Sequence, residues 1–190
     1  MRVTGGLYRS RKLITPAGRT TRPSSDKVRE ALFSILSPSQ NLSGVRLLDL
    51  YAGSGSLAIE ALSRGAESAV LIESSAQAVQ IIDENLSALT LQRRARVICE
   101  RVEHAAKALR NEQPFDLVLA DPPYNTIATR GILPVLEALL LPTLMHAESI
   151  LVLEHRTGTD VELSSFLRDE TRRYGDTSIS FYRPMAQTHT

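Results

Sequence analysis

Residues 46–58 read Arg-Leu-Leu-Asp-Leu-Tyr-Ala-Gly-Ser-Gly-Ser-Leu-Ala, and their reading decides the fold. The first five form an apolar run of strand length, and from Leu57 the apolar residues return at helical spacing. Between them Gly53 and Gly55 stand two apart, where the backbone must turn sharply and a side chain would keep a ligand at a distance. Strand, glycine loop and helix in succession are the opening unit of an α/β sheet with a ligand expected over the loop.

The alternation continues downstream. Strands are expected over 69–73, 95–100, 115–120 and 150–154, and helices over 57–63, 76–89, 104–109 and 132–141. This pattern predicts right-handed βαβ units and a mostly parallel sheet covered on both faces. Near the end, 172–174 and 177–182 flank Gly175-Asp176, a hairpin signal, so a seven-stranded sheet should close with an antiparallel pair. Upstream, residues 2–14 alternate loosely around Gly5-Gly6 and predict a small N-terminal β-hairpin. Ser24 and Ser25 are expected to cap a helix carrying Val28, Ala31, Leu32, Ile35 and Leu36, which stops at Ser37-Pro38. The division expected is a basic hairpin arm over 1–23 and an α/β domain over 24–190.

Composition narrows the function classes. With 43% hydrophobic and 23% charged residues, the 190-residue chain has the balance of a soluble protein large enough for a real core. No run reaches transmembrane length and no apolar leader precedes the domain, so a cytoplasmic protein without membrane contact is expected. Cys99, the single cysteine, excludes an internal disulfide and fits a reducing compartment; its apolar neighbours Val97 and Ile98 predict a packed core thiol. The four histidines show neither metal-ligand spacing nor a triad partner, so no metal is expected.

Net charge is only +1, yet residues 1–30 hold eight Lys or Arg against Asp26 and Glu30. A basic arm on an acidic body predicts contact with a polyanion, and a two-stranded ribbon can lie along a nucleic-acid backbone. Arg2, Arg9, Arg11, Lys12 and Arg22 are the candidates, against the simpler reading of a solvated basic surface.

A second motif, Asp121-Pro122-Pro123-Tyr124, ends the strand 115–120. Two prolines cannot continue a ladder, so the chain leaves the sheet stiffly, carrying a carboxylate, carbonyls without helical partners and an aromatic ring. Those groups suit a flat base with an exocyclic amine: carboxylate and proline carbonyl accept its N–H bonds, and the ring stacks. Alone, the tetrapeptide reads equally well as a stiff turn. In an open α/β sheet, however, ligands sit beyond the carboxyl ends of the strands, so this motif and the glycine loop should converge on one rim.

Two cofactors fit the loop. Gly53 to Ala58 matches the Gly-x-Gly-x-x-Ala dinucleotide fingerprint, which would imply a nicotinamide-dependent oxidoreductase. Asp49 to Gly55, read as Asp-x-x-x-Gly-x-Gly, resembles the S-adenosylmethionine loop of Rossmann-like methyltransferases. The charge of Asp49 favours the second reading, because it suits a cationic amino acid portion and opposes a pyrophosphate. Glu73, ending the next strand, is placed to accept from two ribose hydroxyls.

The chain is more narrowly similar to the RsmD family of bacterial enzymes. The resemblance rests on Gly5-Gly6, Thr21-Arg22-Pro23, the runs 26–33 and 48–55, the run 60–66 and Tyr174-Gly175-Asp176. It implies methylation of N2 of one guanine in 16S rRNA, presented by the small ribosomal subunit, with S-adenosylmethionine as donor and a monomeric enzyme. It also implies site residues: Asp121, Pro122, Pro123 and Tyr124 around the guanine amine, and Asp49, Tyr51, Gly53, Gly55, Glu73 and Ser74 around the cofactor. Many related methyltransferases hold adenine with an acidic residue after the third strand. Here that segment reads Cys99-Glu100-Arg101-Val102-Glu103, so the backbone of Arg101 and Val102 is expected to serve instead. The competing readings are an adenine-N6 methyltransferase, the oxidoreductase and a non-catalytic RNA-binding assembly factor.

Overall fold

The apolar runs do become strands, in an order that puts the two motifs side by side. The computed structural model describes residues 1–15, 23–37, 42–123, 127, 131–140 and 143–185. In chain order it places α1 (Pro23–Leu36), β1 (Arg46–Leu50), α2 (Ser56–Ser63), β2 (Ser68–Glu73), α3 (Ala76–Ala88) and β3 (Ala95–Cys99). A 3₁₀ turn (Val102–His104) leads into α4 (Ala106–Leu109), followed by β4 (Phe115–Ala120), α5 (Leu133–Leu140), β5 (Met145–Arg156), β6 (Phe166–Tyr174) and β7 (Thr177–Pro184). The seven strands form one sheet in the order β3-β2-β1-β4-β5-β7-β6. β3 through β5 run parallel, and β7 inserts antiparallel between β5 and β6.

The order turns on β1. Its neighbours are β2 on one side and β4 on the other, so consecutive connections wind first one way and then the other from a switch point between β1 and β4. Strand residues alternate between two apolar clusters. Leu47, Leu71, Leu117, Leu119 and Val152 face one cluster with Leu32 and Phe33 of α1 and Ile59 and Leu62 of α2. Leu48, Leu50, Val70, Ile72, Val118 and Leu151 face the other, with Leu136 and Leu140 of α5. Burial on both faces is why these strands read as nearly unbroken apolar runs.

Several local expectations change. α1 begins at Pro23, so Ser24 and Ser25 lie in its first turn and neither is the cap; proline suits the first helical position because its missing N–H would be unpaired there anyway. β5 extends back to Met145, through a register shift against β4 between Phe115 and Leu117. β6 extends back to Phe166, an edge strand whose mostly exposed side chains leave little apolar alternation to read. Cys99 is exposed, not packed: β3 is the opposite edge of the sheet, and its burial is partial throughout. No helix among the described residues is long and apolar enough to cross a membrane.

The N-terminal segment forms a hairpin closed by a single antiparallel bridge between Arg2 and Lys12. Val3 and Leu13 are buried in the same cluster as α1 and α2, so the hairpin is seated on the sheet's helical layer.

Candidate active site

Because β2, β1 and β4 are parallel neighbours, they end together. Leu50 lies opposite both Ile72 and Ala120, and the Asp121 N–H donates to the Leu50 carbonyl at 3.4 Å. With strands about 4.8 Å apart, the segments that follow (Tyr51 onward, Glu73 and Asp121) leave the sheet along one rim. The convergence expected from the two motifs is therefore observed for the described residues.

The loop after β1 is built by backbone geometry. Tyr51, Gly53 and Gly55 have φ of 64°, 61° and 74°. Glycine tolerates this region, whereas for Tyr51 it is strained. A Cβ at Gly55 would also come within 3.2 Å of Ile82 Cγ2 and 3.3 Å of Leu71 Cδ2, so a larger residue there is strained and presses on both side chains. The loop is tied to β2 by Glu73, whose Oε2 accepts from the Gly53 N–H at 2.8 Å. Glu73 Oε1 accepts from the Ser75 N–H at 2.8 Å and from the exposed Ser74 hydroxyl at 3.4 Å. Oε2, with a single donor, retains lone-pair capacity for a ligand hydroxyl.

Asp49 is the electrostatic centre of the rim. It is 1% exposed; its Oδ2 accepts from the Ala58 N–H at 3.2 Å, and its Oδ1 has no partner among the described residues. Burial pushes its carboxyl up to about 8; the Ala58 hydrogen bond opposes that shift, and the charges of Asp121 and Glu73 add to it. A buried, half-satisfied carboxyl group beside two acidic neighbours is a place where an incoming cation would favour ionisation and be stabilised in turn. The buried Tyr51 hydroxyl likewise lacks a partner among the described residues, and burial, with the nearby Glu103 charge, pushes its ionisation up.

Other expected positions divide. Val102 is buried, while Arg101 is exposed with its N–H on the Glu100 carboxylate at 2.8 Å and its carbonyl accepting from the His104 N–H at 2.9 Å. Asp121 and Pro123 are exposed and Pro122 is buried; Tyr124 lies outside the described residues. Among the arm's basic candidates, Arg2, Arg9, Arg11 and Lys12 are exposed, and Arg22 lies outside the described residues. Among the described residues, no group of three or more His, Cys, Asp or Glu could hold a metal ion.

The comparisons accord with this geometry. Residues 1–183 match the family model described as conserved hypothetical protein 95. The chain is 36% identical over 190 residues to YlbH of Bacillus subtilis, a protein named as an rRNA methyltransferase, covering 96% of this chain and 98% of that protein. The chain belongs to the RsmD family. Ribosomal RNA small subunit methyltransferase D of Escherichia coli K12 is 37% identical over 133 residues, 70% of this chain and 63% of that protein. Among solved structures, the methyltransferase yhhF of Escherichia coli superposes with a TM-score of 0.78 at 31% identity, covering 98% of this chain and 99% of that one. A methylase of Haemophilus influenzae gives 0.76 at 28% identity, over 97% and 98%. The sheet is thus the methyltransferase α/β fold, mostly parallel with an antiparallel end.

Two buried groups that hold the N-terminal hairpin to this RsmD-family fold were missed in the sequence. Glu60, fully buried in α2, accepts from the Thr4 N–H at 2.8 Å, the Thr4 hydroxyl at 2.7 Å, Arg29 Nε at 3.3 Å and Arg64 Nε at 2.9 Å. Arg29, counted above with the arm's charges, is therefore buried in a fold contact and unavailable to a polyanion. The i,i+4 spacing of Glu60 and Arg64 was the available signal. Asn85 of α3, buried, brackets Ile14: its Oδ1 accepts from the Ile14 N–H at 2.8 Å, and its Nδ2 donates to the Ile14 and Ser54 carbonyls at 3.0 Å each. It links the end of the hairpin to the glycine loop, and an asparagine in mid-helix, a weak helix former, was the hint.

Proposed function

We propose that this chain methylates the exocyclic N2 amine of a guanine in small-subunit rRNA, with S-adenosylmethionine as donor. The observation that carries the reading is the shared rim, where a loop made to receive a cation adjoins an amine clamp on the next strand. The names of the relatives, rRNA methyltransferases among them, supply the substrate class.

The residues fit the cofactor. The open Oδ1 of Asp49 meets its cationic amino acid portion, Gly53 and Gly55 allow close approach, and Glu73 with Ser74 takes the ribose hydroxyls. Tyr51 and the backbone of Arg101 and Val102 border the adenine. When bound, the cofactor supplies a methyl group already activated on a sulfonium. The protein's task is therefore positioning. Asp121 and the Pro122 carbonyl accept the two amine N–H bonds and turn the nitrogen lone pair toward the donor, while Pro123 stiffens the turn and Tyr124 stacks on the base. The target nucleotide is flipped out of its stack to reach the rim. Arg2, Arg9, Arg11, Lys12 and Arg22 of the 1–23 arm hold rRNA phosphates, and the enzyme works as a cytoplasmic monomer on assembled subunits.

The test is transfer of labelled methyl to small subunits lacking the modification, with the modified base mapped afterward. Label on guanine N2 is the expected result. Label on adenine N6, or none at any stage of subunit assembly, would refute the reading.

A further inference from the structure

The clamp formed by Asp121 and Pro122 has a chemical blind spot. Any exocyclic amine presents two N–H bonds, so this pair alone accepts guanine N2 and adenine N6 equally well. What differs is the neighbouring ring position. Beside its amine guanine carries N1–H, a donor, whereas adenine carries N1 with a lone pair, so one more acceptor next to the clamp separates the two.

The fold puts a carboxylate there. β4 and β5 run in parallel register with Ala120 opposite Leu153, so Asp121 and Glu154 follow side by side. Leu119 and Val152 face the cluster under α1 and α2; Glu154, two residues further along β5, returns to that face, and Asp121, the first residue past β4, lies on the same side. Both line a shallow, open cleft whose apolar sides include Leu32, Leu57, Val152 and Ile179. The cleft adjoins the strand end bearing the buried Asp49 Oδ1, which has no partner among the described residues and marks this rim independently as a ligand site. Glu154 is half-buried, and a carboxylate offers about four acceptor positions, so it can keep a protein partner and still take a ligand N–H.

We propose that Glu154 accepts the N1–H of the target guanine and is the residue that selects guanine over adenine. The inference rests on the function proposed above. Asp121 and Pro122 hold the amine, and Glu154 reads the adjoining ring position. For adenine the same carboxylate would oppose a lone pair, leaving two acceptors face to face.

The experiment uses the full-length enzyme and reconstituted small subunits carrying either guanine or 2,6-diaminopurine at the modified position. Diaminopurine keeps the N2 amine but has no proton on N1. Wild type should prefer guanine by on the order of tenfold to a hundredfold in kcat/KM. Glu154→Gln, whose amide can donate to the bare nitrogen, should narrow that ratio at least tenfold, and Glu154→Ala should narrow it partway. A ratio within one preparation does not depend on how much variant folds. An unchanged ratio in both variants overturns the role of Glu154 and leaves the proposed function standing. Failure of wild type to label the guanine substrate would remove that function and the inference with it.

Discussion

Two buried carboxylates in adjacent elements, Glu60 of α2 and Asp49 of β1, have opposite surroundings. Glu60, 0% exposed, receives four donors, two of them from buried arginines, and Arg64 also lies over the Phe33 ring at 5.4 Å. Asp49, 1% exposed, receives one backbone N–H and keeps an oxygen unpaired among the described residues. The first is complete within the chain, and the second is complete only with something added. The contrast separates a charge that fixes the fold from an acid whose charge awaits a ligand.

The largest effect should come from breaking the complete site. Glu60→Ala leaves Arg64 buried without its carboxylate and Arg29 with Asp26 alone, and should cost about 3–5 kcal/mol in urea unfolding. A loss under about 1 kcal/mol would mean that the arginines are hydrated or paired elsewhere. Next comes the rim. Asp121→Ala, at an exposed position, should lower kcat by about 10²–10³ while leaving the unfolding midpoint nearly unchanged, and a variant with full activity would exclude the clamp.

Asp49→Asn sharpens the comparison through pH. Burial pushes the folded-state pKa of Asp49 up to about 8 from an ordinary 3.8, so the folded protein retains a proton that the unfolded chain releases. Wild-type stability should therefore fall as pH rises from about 4 to about 8, by at most about 1.4 kcal/mol per unit, and level off above. The asparagine variant should lose that slope and gain on wild type across the window, yet bind S-adenosylmethionine more weakly. Equal pH slopes in the two proteins would show that Asp49 is already ionised in the free enzyme. The smallest effect belongs to Cys99. Cys99→Ser should change stability by no more than about 0.5 kcal/mol, and the native thiol should react with a small disulfide reagent without prior unfolding.

Most of the sheet was legible because its strands are buried on both faces and separated by helices of ordinary length. Phe115–Ala120 was read to the residue, and Gly175-Asp176 located the final hairpin. Legibility failed where burial is one-sided or partial. Cys99 follows two apolar residues, so the local run suggests a core strand, but only strand order reveals that β3 is an edge. The start of β5 was hidden because residues 147 and 148 are exposed within a strand that shifts register there. At the candidate site, glycines and prolines announced the backbone turns through their own stereochemistry. The Glu60 and Asn85 contacts gave weaker signals, because their partners lie at sequence separations of 31, 56 and 71 residues.

The seat of the hairpin on α2 leaves no spare room. A Cβ on Gly6 would fall 1.9 Å from the Ser63 carbonyl oxygen, one on Gly5 2.4 Å from the Arg64 guanidinium, and the Ser63 hydroxyl donates to the Gly5 carbonyl at 2.6 Å. The segment is consequently not a portable module. Transplanted to another methyltransferase, it would dock only if Glu60, Ser63 and Arg64 travelled with it. Recognition within this lineage should therefore diverge through the outward residues, such as Leu7, Arg9 and Arg11, while the glycine pair beneath them stays constant.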